Sequence, residues 1–111
     1  MGVAEEKALG LLAELIEERE TEIDAWRKEL EEVTNAYIRT EVEFEISPMR
    51  KTPEREEQVL DKLSGVRERC AELKRKIDRE QEELERLQRI KRYWEDSGVP
   101  QKMIERIQQL L

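Results

Sequence analysis

Histidine is missing from this chain altogether, and with it the commonest general base, proton shuttle and metal ligand. Cys70 is the only cysteine, so neither an internal disulfide nor a Cys/His zinc site is open to the chain, and a lone thiol suits a reducing compartment. Aromatic residues make up 5% of the sequence, which limits any core to a thin, mostly aliphatic seam. The glycines stand singly at positions 2, 10, 65 and 98, so no glycine-rich loop exists to cradle a phosphate. No apolar run approaches the roughly 18 residues of a membrane span, and the N-terminus lacks the basic-then-apolar order of a signal peptide. Together these absences lead us to expect a cytoplasmic or nuclear protein, not an enzyme, with no cofactor and no metal.

What the chain has is charge. Of its 111 residues 44% are charged and 37% hydrophobic, with 28 acids against 21 bases and a net charge of −7. Such polarity is compatible with disorder unless the few apolar residues are periodic. They are. From Leu9 they recur in alternating steps of three and four: Leu9, Leu12, Ile16, Ile23, Trp26, Leu30, Val33, Tyr37 and Phe44, with Arg19 and Thr40 as the misfits. A second run follows with Val59, Leu63, Val66, Cys70, Leu73, Ile77, Leu84, Leu87 and Trp94, broken only by Glu80 and Lys91. Both runs span about five heptads, enough to specify a coiled coil.

Between the runs lies SPMRKTPER, residues 47 to 55, which holds two of the three prolines. Pro48 and Pro53 each lack a backbone donor and drive the preceding residue out of helical geometry, so a straight helix through them is excluded. Thr52 is placed to cap a new helix with Pro53 in its first position. The predicted fold is therefore all-α in a single domain, residues 1–111. It is an antiparallel hairpin with arms at about 3–46 and 54–96, a turn at 47–53 and a short helix at about 100–111, packing into a dimeric bundle.

Centring the turn near residue 51 makes facing positions sum to about 103. That sets Phe44 against Val59, Tyr37 against Val66, Val33 against Cys70, Leu30 against Leu73, Trp26 against Ile77, Ile16 against Leu87 and Leu9 against Trp94. The misfits Arg19 and Glu80 then fall in neighbouring layers, either as a register-fixing ion pair or with both side chains snorkelling to solvent. Residues 3–46 carry 14 acids and 5 bases, whereas residues 54–96 carry 13 acids and 12 bases. An acidic arm gains more from the second than from a copy of itself.

Two segments leave alternatives open. In residues 37–47, YIRTEVEFEIS, Ile38, Thr40, Val42, Phe44 and Ile46 alternate strictly with charged residues, a strand signal that competes with the heptad phase running through Tyr37 and Phe44. Beyond Ser97-Gly98, the final helix gathers Met103, Ile104, Ile107, Leu110 and Leu111 on one face. That face needs either the free end of the hairpin, where Val3, Ala8, Leu11, Leu15, Ile90 and Tyr93 widen the seam, or a partner chain.

Function follows by elimination. Carboxylates spread over solvated helix faces keep ordinary acidity and do no chemistry. The segment PEREEQVLDKL is similar to stretches of helical chorismate mutases, yet the spaced arginines that such a resemblance would require do not line up on the first helix. Net negative charge and a pI of 4.9 disfavour nucleic acid and anionic lipid alike. Protein partners remain, as a homodimer or hetero-oligomer. Ser47 and Thr52 each fit the Ser/Thr-Pro-x-Lys/Arg pattern that resembles a cyclin-dependent kinase target, and each equally fits helix punctuation; Arg50, Lys51 and Arg55 form a basic patch beside them. Residues 93–107, YWEDSGVPQKMIERI, resemble the rod-helix junctions of the antiparallel microtubule-bundling family through Trp94, Gly98, Val99 and Pro100. That resemblance implies a dimerising, cell-cycle-regulated rod. The expectation is a coiled-coil scaffold module, or alternatively a phosphorylation-regulated adaptor or cytoskeletal rod segment whose tip or C-terminal helix docks a partner.

Overall fold

The computed structural model describes residues 2–111 and contains three helices, α1 (Val3–Ile46), α2 (Pro53–Ser97) and α3 (Gln101–Gln108), with no strand among the described residues. The two long helices pack against each other as an antiparallel hairpin, and α3 is the short C-terminal element. Residues 37–46 are helical, so the alternating segment is not a strand: it completes α1.

Each helix end has a local cause. Residues Glu5 and Glu6 occupy the electropositive first turn of α1. Its last turn holds no base, and Glu43 and Glu45 there oppose the helix dipole; Lys51 reaches back from the turn to bond Glu45 at 2.9 Å. Helix α1 stops at Ile46 because Ser47 precedes a proline. Thr52 caps α2: its Oγ1 accepts the backbone N–H of Arg55 at 3.3 Å, and its carbonyl accepts that of Glu56 at 3.1 Å. Gly98 ends α2 with φ +94°, a conformation that glycine adopts without penalty, and donates its N–H to the Trp94 carbonyl at 2.9 Å.

Contacts divide the chain into two compact units, one of Met1–Ile23 with Arg79–Leu111 and one of Asp24–Asp78. The first has the drier interior. Leu12, Ile16, Ile23 and Leu84 are buried along its two long helices, and Ala4, Ala8, Val99 and Ile104 form a further cluster against which Leu9, Trp94, Met103 and Ile107 pack. The small Ala4 and Ala8 let α3 approach the start of α1. In the second unit Leu73 and Ile77 are buried, while Trp26, Leu30, Val33, Tyr37, Phe44, Val59, Leu63, Val66 and Cys70 are half-buried.

Two expectations about the C-terminal end need correction. Helix α3 ends at Gln108, where i to i−3 bonds from Leu110 to Ile107 and from Leu111 to Gln108 tighten the chain out of α geometry, and both leucines are exposed. Val3, Leu11, Leu15 and Tyr93 do not widen the seam; they stay exposed, because the row that meets α3 is Ala4 and Ala8, and Leu11 is turned about 100° from Leu12 around α1.

Candidate protein-interaction surfaces

The Asp24–Asp78 unit contains the turn and the residues predicted to meet a partner there. Ser47 Oγ accepts the Met49 N–H at 3.3 Å, so both hydroxyls of the two Ser/Thr-Pro dipeptides serve the backbone. Lys51 and Arg55 both lie over the Phe44 ring, 5.5 and 5.7 Å from its centre, and Arg55 also donates to the Arg50 carbonyl at 3.3 Å. Arg50 itself is exposed. The expected basic patch thus exists as neighbours in space, but Lys51 and Arg55 are already engaged with Phe44 and, for Lys51, with Glu45. A cleft beside them is lined by Ser47, Phe44, Arg55, Val59 and Lys62.

Along the same unit the seam is flanked by ionic contacts between the long helices. Arg69 donates from Nε to Glu29 at 3.1 Å and again from Nη2, and its Nη1 meets Glu72 at 3.2 Å; hydrogen bonds to the two carboxylates, Glu29 first, raise the pKa of the guanidinium above its ordinary value. Lys76 sits 5.6 Å from the Trp26 ring, covering it without burying it. Tyr37 donates its hydroxyl to Glu41 at 2.9 Å, and partial desolvation first, then that carboxylate, push the phenol pKa up. Between these contacts an open groove is lined by Tyr37, Leu63, Val66, Cys70 and Ala71, with Thr34 3.7 Å from the Cys70 sulfur.

No protein-family model matches the chain, and no curated protein or solved structure matches it significantly. The surfaces must therefore be read from their own chemistry. Among the described residues no group of three or more His, Cys, Asp or Glu side chains is arranged to hold a metal, and no helix is long and apolar enough to cross a membrane.

In the other unit, Arg19 Nη1 meets Glu80 Oε2 at 2.5 Å, so the two seam misfits pair with each other. The α3 face is divided. Ile104 is buried and Met103 and Ile107 half-buried against the chain's own Ala4, Ala8 and Val99, which occupies them internally; Leu110 and Leu111 remain exposed. Trp94, Gly98, Val99 and Pro100, which carry the resemblance to rod-helix junctions, form the corner by which α3 joins that cluster. One surface escaped sequence reasoning: Ile38, Val42 and Ile46 form an exposed row on α1. Its signal was the strict alternation of residues 37–47, which pointed instead to a strand.

Proposed function

We propose that this chain is a non-catalytic coiled-coil module that self-associates and serves as a scaffold for protein–protein interaction. The half-open seam of the Asp24–Asp78 unit carries this reading. Leu73 and Ile77 are buried in this unit, but two helices leave most of its seam open on one side, and Trp26, Leu30, Val33, Tyr37, Leu63, Val66 and Cys70 all keep part of their surface in water. Covering the rest with the helices of a second copy, in a four-helix arrangement, stabilises by roughly 1 kcal/mol for each half-exposed aliphatic side chain. The groove over Tyr37, Leu63, Val66, Cys70 and Ala71 is where such a cover fits.

Light scattering and melting at a series of concentrations test this. The expected outcome is a dimer whose melting temperature rises with concentration, and conversion to monomer by Ala71→Arg, which puts a long third cation on the floor of a groove already bordered by Arg67 and Lys74. A single-chain mass with concentration-independent melting defeats it.

A second reading has its own observation. Ser47 shares a cleft with Arg55 and Lys62, so a phosphate on its hydroxyl would have two cations within that cleft, although Glu43 also lines it. Phosphorylation would then regulate what docks at the turn. Comparing partners captured by wild-type and Ser47→Asp/Thr52→Asp protein tests this; identical sets leave both dipeptides as helix punctuation.

A further inference from the structure

The C-terminal part of α1 carries two apolar rows. Tyr37, Thr40 and Phe44 face the seam and are half-buried. Ile38, Val42 and Ile46 are 50%, 51% and 74% exposed. Spaced four apart, these three stack along one line, and at about 100° per residue Val42 lies roughly opposite Phe44 around the helix. Nothing in the hairpin requires them there. A solvated helix face gains no burial from aliphatic side chains, and β-branched residues are poorer helix formers than the Glu, Lys or Gln that would serve as well. An i, i+4, i+8 row of aliphatic side chains is the register that receives an amphipathic helix.

We propose that this row docks a basic amphipathic helix of a partner protein. Charge selects that occupant. The residues interleaved with the row are Arg39, Glu41, Glu43 and Glu45; Arg39 is bonded to Glu43 and Lys51 to Glu45, each at 2.9 Å, so Glu41, which among the described residues accepts only from the neutral Tyr37 hydroxyl, keeps its charge unneutralised, and the preceding turns add Glu31 and Glu32. Over Val3–Ile46 the helix holds 14 acids and 5 bases. A second copy laid antiparallel on the row, with Val42 facing itself, sets Glu41 against Glu43 and Glu45 against Arg39, so self-pairing there brings no net gain in charge complementarity. A helix with lysine or arginine beside its apolar row meets the same flanks favourably. The face is separate from the groove assigned above to self-association, so the two sites are independent.

The test uses two labelled, roughly 18-residue alanine-based helical peptides with leucines at i, i+4 and i+8, one with lysine and one with glutamate only at the positions flanking that row. Fluorescence anisotropy compares wild-type protein with Ile38→Gln/Val42→Gln/Ile46→Gln, which keeps charge and raises helix propensity; melting no lower than wild type confirms that it folds. The lysine peptide is expected to bind wild type roughly tenfold or more tighter than the triple variant, with no binding of the glutamate peptide. Equal affinity for both proteins would reduce the effect to bulk charge and overturn the proposal. Binding of the glutamate peptide overturns it as well, as does a triple variant of smaller mass by light scattering, which would hand the row to a second copy. A monomeric wild type that still binds the lysine peptide through the row refutes self-association alone.

Discussion

The pair Arg19–Glu80 is the sharpest quantitative target. Its side chains are 39% and 22% exposed, with Ile16, Ile23 and Leu84 buried in the same unit, so it belongs neither to the surface nor to the interior. Exposed pairs couple by about 0.2–1 kcal/mol, while breaking a fully buried pair costs about 3–5 kcal/mol. A coupling of about 1 kcal/mol follows for this intermediate case. The single variants should be unequal. Arg19→Ala leaves Glu80, the less exposed partner, without its cation, whereas Glu80→Ala leaves Arg19 close enough to Glu83 to interact with its carboxylate. Arg19→Ala should therefore cost about 2 kcal/mol and Glu80→Ala about 1. Replacing both by leucine restores the heptad pattern and should stabilise by about 1 kcal/mol, raising the melting temperature by about 4 °C. Urea unfolding followed by helical circular dichroism, at one fixed protein concentration, provides the double-mutant cycle. Coupling below about 0.3 kcal/mol would mean that both side chains simply reach solvent. A less stable double-leucine variant would refute the view that the pair sets register at the expense of stability.

Further outcomes follow from single residues. Leu73 is 0% exposed, and Leu73→Ala should cost about 3 kcal/mol by denaturant unfolding, against less than about 0.5 for exposed Leu60→Ala. Glu83 is held below the usual carboxylate range chiefly by its hydrogen bonds from Arg86, at 2.7 and 3.1 Å; with a depressed folded pKa, its contribution is present above the unfolded value and is lost as pH falls through the folded one. The melting difference between wild type and Glu83→Gln should thus be constant near neutrality and vanish under acid, and a difference that grows on acidification would reverse the sign. Gly98→Ala meets no atom within 4 Å but forces alanine to φ +94°, so it should cost about 1 kcal/mol and increase solvent quenching of Trp94, which packs against the α3 cluster.

Most of the fold was legible because heptad spacing, two prolines and a capping threonine all pointed to the same hairpin. Every residue assigned to the seam, from Leu9 to Trp94, is buried or half-buried. Leu9 and Trp94 pack on one cluster and Tyr37 and Val66 line one groove, while Arg19 reaches Glu80 from a neighbouring layer. Less legible was what α3 would cover. Periodicity located its apolar face, but which residues of α1 accept it depends on side-chain size, since alanine admits a close neighbour that Leu11 or Leu15 would hold off. The candidate sites were harder still: basic residues near Ser47 and Thr52 are evident in the sequence, whereas their capture by Phe44 and Glu45 is a matter of three-dimensional reach.

The alternation of residues 37–47 shows how one pattern can serve two geometries. In a strand, residues two apart share a face; in an α-helix they are about 200° apart and lie on opposite faces. Apolar side chains at 38, 40, 42, 44 and 46 therefore make one face of a strand but two rows of a helix, Ile38, Val42 and Ile46 on one side and Thr40 and Phe44 on the other. The surrounding phase decides in favour of helix, since Val33, Tyr37 and Phe44 continue the seam that Leu9 begins, and a lone strand would have no partner for its backbone. Once that choice is made, a helix with a single neighbour can satisfy only one of the rows. The exposure of Ile38, Val42 and Ile46 is thus the direct consequence of placing a period-two sequence in a two-helix hairpin, and it leaves on α1 a second face whose acidic borders select what covers it.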